Sequence, residues 1–150
     1  LEVRQISSER VINMLLEPFN SMMAICSSDS RRTIREHVWE KEGSALQYFK
    51  IHGVEGAMLR LGNHYHNGSY AEKFLILRGG GKVGLAEVDE VGTPGKVRWV
   101  DISPFFMIDV GPLTAHVFEL EAGTVMLCWV TGVDADHKPG VAVSCVISDQ

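Results

Sequence analysis

The run Gly62-Asn63-His64-Tyr65-His66-Asn67-Gly68-Ser69-Tyr70-Ala71-Glu72-Lys73-Phe74-Leu75-Ile76-Leu77-Arg78-Gly79 decides how the rest of the chain is read. His64 and His66 stand two apart, and side chains two apart on a strand share a face. A short polar loop then turns the chain back, and Glu72 opens a second strand that can face the same space. Neutral imidazoles and a carboxylate suit one divalent transition metal ion, with zinc, iron, manganese, nickel and cobalt all compatible. Downstream, Asp109-Val110-Gly111-Pro112-Leu113-Thr114-Ala115-His116 sets a turn and then a histidine early in a strand, which makes His116 the natural fourth ligand.

Working outward, the polar break Ser27-Ser28-Asp29-Ser30 divides the chain into two unlike parts. After it come short segments rich in Val, Ile, Phe and Leu, which read as strands. They run from Arg35 to Glu40, Ala45 to Ile51, Val54 to Leu61, Glu72 to Arg78, Lys82 to Val88, Lys96 to Asp101, Phe105 to Val110, Thr114 to Leu120, Thr124 to Val130 and Val141 to Ile147. Turn signals separate them, among them Gly92-Thr93-Pro94-Gly95, Glu121-Ala122-Gly123 and Lys138-Pro139-Gly140. The run Gly79-Gly80-Gly81 precedes a strand rather than a helix, so it reads as a hairpin turn and not as a phosphate loop. No crossover helices intervene, which predicts an all-β fold of two packed sheets.

Before the break the pattern is helical. Ser7 or Ser8 can cap, Val11, Ile12, Leu15, Leu16 and Phe19 recur at helical spacing, and Pro18 predicts a kink or a second short helix running through Met22 and Met23. Residues 1–30 are thus expected to form an N-terminal helical arm, and 31–150 one β domain.

The chain has 150 residues, the size of one domain, and a formal net charge of −5. That balance gives no electrostatic reason to expect a nucleic-acid partner. No apolar run approaches the length needed to cross a bilayer and no leader pattern opens the chain, so the expectation is a cytoplasmic protein without a membrane partner. Cys26, Cys128 and Cys145 are odd in number and far apart, which argues for structural thiols rather than disulfides.

With its spaced histidines, the glutamate, Gly79 closing the glutamate's strand, and Pro112 followed by His116, the sequence resembles the cupin superfamily. The likeness covers roughly Val54 to Val130. Gly56 stands ahead of the His-x-His pair, and six residues separate Glu72 from Gly79 as in the family's first motif. The interval from His66 to Glu72 is one residue longer than that motif, which leaves a three-histidine site as an alternative. In the second motif Thr114 and Leu120 replace a glycine and an asparagine. Within the superfamily the run is similar to the cupin domain of capsular-polysaccharide assembling reductases and, more distantly, to sugar isomerases and epimerases. The resemblance implies a double-stranded β-helix, or jelly-roll barrel, and it implies His64, His66, Glu72 and His116 as metal ligands. It also leaves open a metal-free cavity whose histidines act as acid or base.

Strand parity with the histidines predicts that Met58, Arg60, Phe74, Ile76 and Phe118 face the same cavity, with Arg60 able to clamp a carboxylate or phosphate. Tyr70, in the loop between the ligands, can reach the mouth, whereas Tyr65 has the opposite parity. Arg60, Tyr70, Phe74 and Phe118 are the candidate substrate contacts. His37, His52 and His137 lack such a setting and read as ordinary surface or loop residues. The expected function is a metal-dependent isomerase or oxygenase acting on a small molecule, with a sugar or keto acid first. The alternative is a binding or regulatory module with a structural metal. Sheet edges suggest assembly as a homodimer.

Overall fold

The computed structural model describes residues 23–39, 43–132, 142–145 and 147. Eleven strands occur among them: β1 (Ala24–Ser28), β2 (Arg32–Trp39), β3 (Ser44–Ile51), β4 (Met58–His66), β5 (Ala71–Arg78), β6 (Gly81–Glu87), β7 (Arg98–Ile102), β8 (Met107–Val110), β9 (Thr114–Glu121), β10 (Val125–Thr131) and β11 (Ala142–Ser144). They form a six-stranded sheet in the order β1-β2-β3-β10-β5-β8 and a five-stranded sheet in the order β11-β4-β9-β6-β7.

The all-β expectation holds, but the barrel does not. Both sheets are open, with β1 and β8 ending one and β11 and β7 ending the other. Among the described residues no strand pairs across the gap, so the sheets are joined by side-chain packing and by chain crossings. One crossing lies at the glycine run after Arg78. Sequence reasoning made it a hairpin, yet β5 and β6 belong to different sheets. Thr124 fixes this crossing, since Gly80 N–H donates to Thr124 Oγ1 at 3.1 Å and that hydroxyl donates to the Gly80 carbonyl at 3.2 Å.

The expected helical arm falls mostly on residues 1–22, outside the described residues. Among the described residues there is no helix, and Ala24–Ser28, assigned to the arm from sequence, is a strand paired antiparallel with β2. Its Ser-rich composition hid it, because it is an exposed edge with little apolar pattern to detect. No helix of the described residues is long and apolar enough to cross a membrane.

Alternation along the strands fills the space between the sheets. Phe74 and Ile76 of β5, Met126, Cys128 and Val130 of β10, Leu61 of β4, and Phe118 and Leu120 of β9 share one buried cluster. A second cluster covers the far side of the five-stranded sheet, where Tyr65, Ala115 and Val117 pack with Ile147. Burial of this apolar area is the main stabilising term.

Candidate metal centre

The decisive local feature is a bulge in β4. Leu61 pairs with Phe118 and Gly62 with Val117, but the next pair is His64 with His116, leaving Asn63 as an extra residue. Gly62 and Asn63 both adopt positive φ, 97° and 63°. A side chain at Gly62 would bring its Cβ to 2.7 Å from the His116 carbonyl oxygen, so only glycine fits there. Asparagine is among the few residues that tolerate the neighbouring conformation. An extra residue re-aims everything after it, so His64 and His66 share the inner face with Leu61.

Four side chains thereby converge. One ligand atom from each of His64, His66, Glu72 and His116 lies within 4.8 Å of all the others. Glu72 Oε2 stands 3.4 Å from His66 Nε2 and 3.4 Å from His116 Nε2. An ion held at about 2.1 Å by tetrahedral donors would space them about 3.4 Å apart. Glu72 is only 6% exposed, and its Oε2 is buried without a hydrogen bond of good geometry. A buried carboxylate oxygen in that position is costly unless a cation meets it. The four side chains can therefore coordinate a divalent transition metal ion.

The surroundings prepare each donor. His116 Nδ1 lies 3.4 Å from the Thr114 carbonyl, which can only accept, so the neutral ring carries its proton on Nδ1 and turns Nε2 toward Glu72. Burial lowers the His116 pKa below the ordinary imidazole value. Burial, reinforced by His116 and His66, lowers that of His64 to about 4. Burial alone would raise the Glu72 carboxyl, but its contacts with the imidazoles outweigh that and hold it below the usual value. Neutral imidazoles beside an ionised carboxylate are the protonation states a metal requires. On the far side of Glu72, the fully buried Cys128 thiol donates to Oε1 at 4.0 Å, a contact that sequence reading missed.

The other expected site residues divide. Tyr70 is buried, with its ring centroid 4.2 Å from that of His66. Burial raises its phenol pKa, followed by the charge of Glu72, so it stays protonated. Phe74 and Phe118 are buried with centroids 4.9 Å apart, and both border a cavity shared with His64, Glu72 and His116. Ile76 faces inward as expected, within the core. Met58 and Arg60 do not join them. They precede the bulge, so parity counted back from the histidines inverts, and Met58 is 50% exposed. Arg60 bonds Glu119 at 3.3 Å and the Ile147 carbonyl at 3.4 Å on the outer side of the sheet. His37 and His52 lie away from the cluster, and His137 is outside the described residues.

No protein-family model matches the sequence, and no curated protein does. Solved structures do match. The capsular polysaccharide assembling protein CapF from Staphylococcus aureus superposes with a TM-score of 0.64 at 18% identity, over 80% of this chain and 32% of that one. A cupin-2 domain from Rhodospirillum rubrum gives 0.57 at 15% identity, over 81% and 73%. The chain has the cupin fold. Oxalate decarboxylase from Bacillus subtilis shares it as well, with a TM-score of 0.60 at 16% identity over 83% of this chain and 30% of that one. This cupin-fold chain spans about a third of the length of the CapF chains it matches.

Proposed function

We propose that the chain is a metal-dependent cupin acting on a small polar molecule, with isomerisation or epimerisation of a sugar or keto acid as the first reaction class. The observation that carries this reading is the convergence of three imidazoles and one carboxylate, of which His64, Glu72 and His116 border a cavity that is otherwise largely apolar. A bound divalent ion would supply Lewis acidity toward a carbonyl or lower the pKa of a bound water. His64, His66, Glu72 and His116 would hold it, while Phe74 and Phe118 would keep water from the apolar part of a substrate. Tyr70, neutral and with its ring tilted against that of His66, would fix that ligand's orientation and offer a proton near the site. The structural likeness to a capsular polysaccharide assembling protein supports carbohydrate-related substrates as one arm of a screen.

Elemental analysis of protein purified without a metal-binding tag tests this. About one equivalent of a transition metal is expected, lost in folded His64→Ala and His116→Ala variants. A wild-type protein that holds none, even after reconstitution, overturns the metal reading and leaves the histidines as candidates for metal-free acid–base chemistry.

A further inference from the structure

The cavity beside the cluster holds a cation that sequence reading passed over. Arg32 is the first residue of β2, and Ile34, two positions on, shares its face. Both border the cavity, together with Phe49, Phe74 and Phe118 on the apolar wall and His64, Glu72 and His116 at the cluster. The Nε of Arg32 is buried and makes no hydrogen bond. Four other cations are satisfied, Arg31 by Asp29, Arg60 and Lys82 by Glu119, and Lys73 by Asp109. Among the described residues no carboxylate pairs with Arg32.

An arginine bordering a largely apolar cavity with its Nε–H buried and unsatisfied is costly, and its planar fork matches a carboxylate in two parallel hydrogen bonds. A divalent ion bound at the cluster, with Glu72 and Arg32, would leave the cavity net positive. Its volume is about 140 Å³. That is close to the roughly 150 Å³ known to admit benzene.

We propose that Arg32 holds the carboxylate of a small organic acid whose apolar body lies on Phe49, Phe74 and Phe118. This deepens the function proposed above, selecting keto acids over uncharged sugars, and it rests on that reading for what happens at the cluster. Arg32 is then a specificity-determining residue, and Arg60 is not.

Calorimetric titration of the metal-loaded protein with acetate, butanoate and benzoate, each beside its amide, tests the proposal. For at least one pair the wild type is expected to bind the acid ten-fold or more tighter than the amide. Arg32→Met should abolish that preference while leaving the affinity for the amide and the metal content unchanged, and Arg32→Lys should restore part of it. The same titrations on chelator-stripped protein separate the two readings. If the wild type carries no metal, an Arg32-dependent preference still stands and only the metal reading falls. No acid preferred over its amide by the wild type, or a preference that survives in both Arg32 variants, overturns the assignment.

Discussion

Arg60 and Arg32 are both long cations on strands of the same small fold, and they differ in what meets them. Arg60 lies on the outer face of the five-stranded sheet, where Glu119 accepts from it and also bonds Lys82 at 2.9 Å, with Lys82 4.5 Å over the Trp99 ring. That face is a closed electrostatic circuit. Arg32 lies on the opposite sheet and borders the cavity that Phe49, Phe74 and Phe118 also line, with its Nε unsatisfied. A charge answered by its own neighbours is surface chemistry, whereas one kept unanswered in a cavity is available to a ligand. The same division runs through β4, since residues before the Asn63 bulge send their charges outward and residues after it send imidazoles inward.

The strongest way to break this division is to remove the bulge. Gly62→Ala forces a Cβ against the His116 carbonyl at a φ that disfavours any side chain. It is expected to cost about 2–4 kcal/mol in urea denaturation. Because the bulge aims both His64 and His66, metal affinity should fall with stability. The outer Arg60–Glu119 pair would keep its geometry.

Acid separates the two faces next. In metal-free protein the folded-state pKa of His64 is about 4, below its ordinary 6.5. The unfolded chain therefore takes up a proton first, and stability falls as pH drops from about 6.5 to about 4. Glu72 adds to the loss below its ordinary value of 4.5, since its folded carboxyl stays ionised to lower pH. Urea midpoints for the metal-free protein are expected to be lower at pH 4.5 than at pH 7. His64→Ala should flatten the upper part of that profile.

Arg60→Met is the smallest change. An exposed ion pair contributes about 0.2–1 kcal/mol, so the urea midpoint should barely move and metal content should be unchanged. A large loss of metal on this substitution would mean that the outer circuit helps to set the inner site.

These expectations also mark where sequence reading reached and where it stopped. His64, His66, Glu72 and His116 were legible because donor type and spacing are written in the residues themselves. The outward placement of Arg60 was not, because parity counts assume an unbroken ladder and one extra residue at Asn63 inverts them. The Gly62-Asn63 pair was the available signal, as both residues tolerate positive φ. Arg32 went unnoticed because it adjoins the polar Ser27 to Arg31 stretch, which reads as a loop rather than as the approach to an inward-facing strand. The open sheets followed from a similar blindness. Local pattern identifies strands but not their partners, so the glycines after Arg78 looked like a hairpin although they carry the chain from one sheet to the other.

The contact between Cys128 and Glu72 has a kinetic meaning as well as a structural one. The thiol is fully buried and its pKa lies well above the ordinary value, chiefly through burial, so a thiol reagent can reach it only when β10 parts from its neighbours. Cys26, on the exposed edge strand, reacts without any such opening. The two sulfurs together form a clock. One records the arrival of reagent, and the other counts how often the wall behind the metal centre breathes.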